Sequence, residues 1–129
     1  MINDGSVNVE TECGNEAMPI SPRIEDAMFR IGREAIANSI RHAGPSTIRI
    51  RVQKSGTSIC LSVEDDGAGF VTDTPKHGFG LVGMRNRAES ISAKLVVKSA
   101  PGAGTLMEVV APLNSRFNIE AWPKLLFHS

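Results

Sequence analysis

Tyrosine is absent from this 129-residue chain, and aromatic residues make up only 5% of it. Proteins that hold single-stranded nucleic acid stack its bases on aromatic side chains, so this composition disfavours that function. Basic and acidic residues number 14 each, and the formal net charge of zero gives no field that would attract nucleic acid. We therefore predict that nucleic acid is not a partner.

The chain also lacks long apolar runs and cysteine motifs. No stretch approaches the length of a bilayer span, and the N-terminus lacks the basic-then-apolar order of a signal peptide. Cys13 and Cys60 form no C-x-x-C motif, which disfavours a zinc site or a redox pair and favours two reduced thiols. A single domain located in the cytoplasm is the simplest interpretation.

Alternating apolar and polar residues predict the strands. One short strand is expected at 7–13, followed later by two hairpins at 47–65 and about 93–113. In the first hairpin the alternation runs through both arms, which predicts that one face of it is buried. The chain therefore supplies five strands, four of them in hairpins.

Two helices are predicted between these strands. The first follows Ser21, a favourable N-cap, and runs to about His42; the second covers about 80–92. The first carries an apolar stripe with helical spacing, formed by Ile24, Met28, Ile31 and Ala35. The element order predicts an α+β fold: a two-layer α/β sandwich with helices packed on one face of a mixed, mostly antiparallel sheet.

The segment "GFGLVG" (78–83) matches the G-x-G-x-x-G pattern of dinucleotide-binding turns. A Rossmann fold requires a buried strand before the first glycine and an acidic residue about 20 positions later, and both are missing here. The glycines nevertheless leave backbone N–H groups unobstructed at a helix N-terminus, which suits an anion. A glycine-rich turn that binds no ligand is the alternative.

The segment "REAIANSIRHA" places four polar side chains on one face of the first helix, namely Glu34, Asn38, Arg41 and His42. An amide oxygen beside a carboxylate and cations suits a nucleotide with Mg²⁺, which prefers oxygen ligands. A solvated polar helix face would show the same residues. On this pattern alone both interpretations stay open.

The segment "EDDGAGF" follows a predicted buried strand that ends at Asp65. Its carboxylate could accept a hydrogen bond from an exocyclic amine such as N6 of adenine, while Gly67 and Gly69 let a ligand approach the backbone. An Asp-Gly turn is the alternative. The segment "PGAGT", which ends at Thr105, is most simply a hairpin turn.

Taken together and in this order, these segments resemble the catalytic and ATP-binding domain of sensor histidine kinases. This domain belongs to the superfamily shared with DNA gyrase B, Hsp90 and MutL, and the resemblance is to the branch of the nitrate sensors and the membrane-fluidity sensor DesK. "FRIGREAIANSIRHA" is similar to the N box, "DDGAGF" to the G1 box, "HGFGLVGMRNRAESI" to the G2 box and "PGAGTLMEVVAPL" to the closing hairpin. The resemblance covers about residues 6–113, with 1–5 as a linker and 114–129 as a tail of unassigned role.

The resemblance implies a role in holding adenine for four residues. Asp65 would bind the amino group of the base, and Gly67 and Gly69 would give room for the ring. Thr105 would lie near the same base and contact it partly through a water molecule.

The resemblance also implies a phosphate and metal site. Asn38 would hold Mg²⁺, Arg41 and His42 would lie near the phosphates, and residues 71–77 would form a short ATP lid. The lid would end in a phosphate-facing helix start formed by Gly78, Gly80, Leu81 and Gly83. Glu34 is the implied catalytic residue, either polarising a water or orienting the hydration shell of the metal.

The implied reaction is transfer of the γ-phosphoryl group of ATP to a histidine on a dimerisation domain. In such domains an acidic residue follows the phosphoacceptor histidine, and no histidine of this chain has one. We therefore expect a monomeric fragment of a larger kinase, either soluble or membrane-anchored, that signals to a response regulator. The alternatives are a stand-alone relative of the anti-sigma factors that phosphorylates serine on its partner, and a degenerate domain that only binds nucleotide.

Overall fold

The computed structural model describes residues 6–14, 20–71 and 81–113. The predictions for the linker, the tail, Gly78, Gly80 and all of the lid except Val71 lie outside the described residues. The five strands are β1 (Asn8–Cys13), β2 (Thr47–Ser55), β3 (Ser58–Asp65), β4 (Lys94–Ser99) and β5 (Thr105–Pro112). The helices are α1 (Pro22–Asn38), continued by a π-helical turn (Ser39–Ala43), and α2 (Leu81–Glu89).

The strands form one sheet in the order β1-β2-β3-β5-β4. β1 pairs with β2 in parallel, and the other three neighbouring pairs are antiparallel. This is the predicted mixed, mostly antiparallel sheet, and it differs from the parallel sheet of a dinucleotide-binding fold. Both predicted hairpins are confirmed.

One face of the sheet packs against both helices. Along β3, the side chains of Ile59, Leu61 and Val63 are buried, whereas those between them are more exposed, as expected for side chains that alternate between faces. α1 contacts β3 and β5, and α2 contacts β4 and α1. The predicted two-layer sandwich with helices on one face is therefore confirmed.

The predicted start and stripe of α1 are confirmed. The hydroxyl oxygen of Ser21 accepts a hydrogen bond from the backbone N–H of Ile24, as an N-cap does. All four residues of the apolar stripe are buried, and Ile31 is fully so. No helix within the described ranges is long and apolar enough to cross a membrane.

The end of α1 differs from a regular helix. Its last five residues, Ser39–Ala43, form a π-helical turn, and Gly44 follows with a φ of 58°, in the left-handed conformation typical of a helix stop. The predicted end at about His42 is therefore correct to one residue. The change to π geometry was not predicted.

α2 is shorter than the predicted 80–92. It ends at Glu89, and the chain turns through Ser92, whose φ is 58°. The amide of Ala93 donates a hydrogen bond to the carbonyl of Ala88, and the buried side chain of Ile91 packs into the core. These contacts hold residues 90–92 in a turn although their sequence is compatible with a helix.

Both cysteines lie on strands and are free thiols. Cys13 is exposed on β1, and Cys60 is partly buried on β3. Burial, together with the nearby carboxylate of Glu108, raises the pKa of the Cys60 thiol. A raised pKa keeps the thiol protonated, which suits a structural rather than a reactive cysteine.

Candidate functional site

A cavity lies where the end of α1 and its π-helical turn meet the start of α2 and the ends of β3, β4 and β5. It has about 510 Å³ of empty space, counting the part that opens to solvent. Six of the residues predicted from the sequence to bind ATP line it: Asn38, His42, Asp65, Gly69, Leu81 and Thr105. Residues not singled out from the sequence also line it, including Ser39, Phe70, Met84, Val97 and Met107.

Asp65 is held at the inner end of this cavity. The residue is 8% exposed. The hydroxyl of Ser39 donates to Oδ2 at 2.8 Å, and the backbone N–H of Gly67 donates to Oδ1 at 2.8 Å. These bonds offset the cost of burying a carboxylate and fix its orientation. Because each oxygen can accept more than one hydrogen bond, the carboxylate can still receive a donor from a ligand.

Ser39 is the most informative residue that the sequence interpretation missed. It is four residues after Ala35 and so continues the apolar stripe of α1, where the residue is 4% exposed. A hydroxyl on a buried stripe needs a hydrogen-bond partner, and here the partner is Asp65. A serine at a position where the stripe predicts an apolar residue is the sequence feature that could have indicated this contact.

The π-helical turn forms one wall of the cavity and holds the loop after Asp65. The amide of Ala68 donates to the carbonyl of Ala43 at 2.8 Å. A Cβ atom on Gly67 would lie 2.5 Å from the same carbonyl oxygen, so this close approach requires glycine. Gly67 does not line the cavity, and the contact with Ala43 explains it without reference to a ligand.

The β4–β5 turn holds the other side of the same loop. The amide of Gly102 donates to the carbonyl of Ala68 at 2.6 Å. Gly69 has a φ of 70°, and a Cβ atom there would lie 2.0 Å from the carbonyl oxygen of Ala100. The segment "PGAGT" is therefore a hairpin turn, as predicted, and it also fixes the position of the cavity wall.

Thr105 lies beside Asp65. The two residues are directly paired across β3 and β5, so both occupy the same end of the cavity. The hydroxyl of Thr105 lies 2.8 Å from that of Ser99, its pairing partner on β4. Topology therefore joins an acidic residue and a hydroxyl that are 40 positions apart in the sequence.

The polar face of α1 forms a connected group at the outer side of the cavity. Nη2 of Arg41 lies 3.4 Å from Oε2 of Glu34 and donates to Oδ1 of Asn38 at 3.2 Å. Neither Glu34 nor Arg41 lines the cavity, although Asn38 and His42 do. The side chains of the Arg41–Glu34 pair are about half exposed, so the pair stabilises the fold little. Arg41 can therefore leave Glu34 for another anionic partner.

The start of α2 supplies Leu81 to the cavity, but Gly83 is exposed and does not line it. A Cβ atom on Gly83 would meet no atom of the described residues within 4 Å, so their packing does not require glycine there. Within the described part of the chain, no three His, Cys, Asp or Glu side chains converge in a way that could hold a metal ion. Asn38 lines the cavity on this side and can offer its side-chain amide oxygen to a metal ion.

Residues 23–115 match the protein family described as "Histidine kinase-, DNA gyrase B-, and HSP90-like ATPase". The chain belongs to this family. The match includes every segment that carried the resemblance, from the face of α1 to the closing hairpin.

Relatives in this ATPase family include sensor proteins. The "Sensor protein VraS" of Staphylococcus saprophyticus is 40% identical over 100 residues, which are 77% of this chain and 29% of the relative. The "Sensor protein VraS" of Staphylococcus epidermidis is 38% identical over 96 residues, or 74% of this chain and 28% of the relative. The chain thus spans less than a third of the length of these relatives.

Solved structures of histidine kinases have the same fold. The histidine kinase domain of the blue-light activated kinase EL346 from Erythrobacter litoralis aligns with a TM-score of 0.68 at 21% identity, covering 87% of this chain and 55% of that one. The kinase AdeS of Acinetobacter baumannii aligns with a TM-score of 0.65 at 19% identity, covering 84% and 55%. The predicted fold class and the resemblance to a histidine-kinase ATP-binding domain are confirmed, and the family is one of ATP-using proteins.

Proposed function

We propose that this ATPase domain binds Mg-ATP in the cavity and transfers the γ-phosphoryl group to a histidine on the dimerisation domain of a two-component sensor kinase. One observation carries the proposal. Asp65 is a buried carboxylate at the inner end of the cavity, held by Ser39 and Gly67, with capacity for a further donor. A ligand group that donates hydrogen bonds, such as an exocyclic amine, suits a carboxylate at the end of a mainly apolar pocket.

The inner end of the cavity suits the base. Asp65 would accept a hydrogen bond from the adenine amino group, and Thr105 would lie beside it. The side chains of Met84, Val97 and Met107 line the same cavity and can pack against the ring. The inner end therefore offers adenine a hydrogen-bond acceptor for its amino group and apolar side chains for its ring.

The outer side of the cavity suits the phosphates. Arg41 and His42 can interact with phosphate oxygens, and the N-terminus of α2 at Leu81 presents the positive end of a helix dipole. Magnesium, when bound, would neutralise phosphate charge and orient the group for in-line transfer. Asn38 would hold it. Because Oδ1 of Asn38 accepts from Arg41 in this structure, Arg41 would shift to the phosphates to release that oxygen.

The reaction needs little acid–base chemistry from this chain. A bond forms between an imidazole nitrogen and the γ-phosphorus, the bond to the bridging oxygen breaks, and ADP leaves with the electron pair. A neutral imidazole nitrogen already has a lone pair, so Glu34 need not act as a base. Its contact with Arg41 suits it to hold that cation until phosphate replaces it, and it can then orient water around the metal.

The acceptor histidine lies outside these 129 residues in this proposal. A dimerisation domain of the parent kinase would present it, a response regulator would receive the phosphate, and the ATP-binding domain would work as a monomer in the cytoplasm. The sequence similarity to sensor proteins supports the assignment to a sensor kinase.

Replacing Asn38 by alanine should remove the effect of Mg²⁺ on ATP binding. We expect affinity in Mg²⁺ to fall about tenfold and affinity in EDTA to change little, since in this proposal Asn38 contacts the nucleotide through the metal. Calorimetric titration with and without Mg²⁺ measures both. Asn86→Ala, on the exposed part of α2, is the matched control and should behave as the wild type. A Mg²⁺ effect that persists in Asn38→Ala would refute the metal role.

Phosphoryl transfer is tested by incubating the domain with labelled ATP and the isolated dimerisation helices of its kinase. Label that appears on the helices, is lost in acid and survives in alkali is phosphohistidine, which supports the proposal. Acid-stable label on serine would instead favour an anti-sigma-factor-like kinase. Binding of ATP without any transfer would indicate a domain that only binds nucleotide.

A further inference from the structure

The hydroxyl of Ser99 contacts three residues at this end of the cavity, two of which, Phe70 and Thr105, line it. It accepts a hydrogen bond from the backbone N–H of Phe70 at 2.9 Å and donates to the carbonyl oxygen of Gly104 at 3.0 Å. It also lies 2.8 Å from the hydroxyl of Thr105. Distance alone does not say which of these two hydroxyls donates to the other.

Counting protons decides the direction. A serine hydroxyl has one proton. The amide of Phe70 can only donate to it, and the carbonyl of Gly104 can only accept from it. Gly104 is buried, and leaving its carbonyl without a partner would be costly, so the proton of Ser99 is committed to that carbonyl. Thr105 must therefore donate to Ser99.

This direction fixes what Thr105 presents to the cavity. Its only proton points to Ser99, so its oxygen offers lone pairs alone. Asp65, directly opposite on β3, is also limited to accepting while ionised, since Ser39 and Gly67 already donate to it. The inner end of the cavity thus carries two neighbouring acceptors and, from these two side chains, no donor.

We propose that Ser99 is a positioning residue that turns the hydroxyl proton of Thr105 away from the cavity and so makes this end selective for 6-aminopurines over 6-oxopurines. The inference rests on the proposed binding of ATP here. An amino group has two protons, one for each acceptor, directly or through a water. A 6-oxo group has none and faces two oxygens, and the single N1–H beside it cannot serve both acceptors while the oxo group repels them, so inosine and guanosine triphosphates bind less tightly.

The test is the ratio of two affinities. For the wild type and Ser99→Ala, calorimetry gives the dissociation constants of ATP and of inosine triphosphate. Without Ser99, the proton of Thr105 can turn into the cavity and meet the 6-oxo group. We expect the preference for ATP to fall about fivefold, the worth of one hydrogen bond. Ser62→Ala, a hydroxyl loss on the opposite face of β3, should leave the ratio unchanged.

The ratio separates positioning from a purely structural role. If Ser99 only held the loop in place, the affinities for both nucleotides would fall equally in Ser99→Ala. The ratio of the two dissociation constants would then be unchanged, which would overturn the inference. Thr105→Val provides a second readout should Ser99→Ala not fold, because loss of the acceptor should also lower the preference for ATP. A wild type that binds no ATP would refute the proposed function itself, whereas ATP binding with an unchanged ratio in both variants refutes only this inference.

Discussion

Asp65→Asn should lower the affinity for ATP at least about tenfold, on the order of 1.4 kcal/mol or more. Asparagine keeps the size of the side chain but turns one acceptor oxygen into an NH₂ donor. Ser39 and the amide of Gly67 both donate to Asp65, so the new NH₂ must face one of these donors or the amino group of adenine. Facing Gly67 or adenine, the NH₂ meets a group that can only donate. Facing Ser39, whose hydroxyl can rotate to accept, it leaves adenine one neutral carbonyl oxygen that already accepts from Gly67, a weaker acceptor than the carboxylate. Calorimetric titration with ATP measures the loss.

The neighbouring aspartate provides a matched control. Asp66 is exposed and accepts hydrogen bonds from the amides of Ser46 and Thr47 at 2.8 and 3.0 Å, outside the cavity. The N–H of Thr47, followed by that of Ser46, lowers the pKa of the Asp66 carboxyl, so this residue is an anion with a local structural role. Asp66→Asn should retain wild-type affinity for ATP. Equal affinity in Asp65→Asn and the wild type would remove adenine from this end of the cavity.

Gly104→Ala should produce a large loss of stability. Gly104 has a φ of 75°, and a Cβ atom there would lie 2.3 Å from the carbonyl oxygen of Asp65. The backbone of β3 would have to move, and with it the carboxylate at the end of the cavity. We expect the free energy of unfolding to fall by about 3 kcal/mol or more, measured by urea denaturation. ATP affinity should fall as well, because Asp65 is displaced.

Gly102→Ala in the same turn isolates the cost of the backbone conformation. Its φ of 79° is similar, but a Cβ atom there meets nothing within 4 Å. The expected loss is therefore only about 1 kcal/mol, from the left-handed conformation alone. Equal losses in the two variants would show that the contact with Asp65 has no energetic consequence, against our description of this wall.

The sequence was sufficient for the elements and their order because local periodicity determines them. The buried stripe of α1 and the alternation of β3 could be read directly from apolar spacing, and the cap at Ser21 from residue type. The family resemblance predicted more than periodicity did. It predicted that Asp65 and Thr105 share one site, which periodicity alone cannot show. Their pairing across β3 and β5 is a matter of sheet topology.

Three features of the site were not predictable in the same way. The π-helical turn depends on how the end of α1 meets the loop after Asp65, a tertiary contact. The resemblance predicts that Gly67 leaves room for a ligand, and the structure adds that its position is also required by the close backbone of Ala43. The role of Ser99 follows only from the simultaneous positions of its three partners, which lie in two different loops and a strand.

The central claim is that the adenine of ATP lies at the inner end of this cavity with its amino group on Asp65. A crystal structure of the domain with Mg²⁺ and a non-hydrolysable ATP analogue tests it most directly. Our account predicts the amino nitrogen within hydrogen-bonding distance of the Asp65 carboxylate and the metal coordinated by Asn38. A nucleotide that lies elsewhere, or a base whose amino group points away from Asp65, would contradict it.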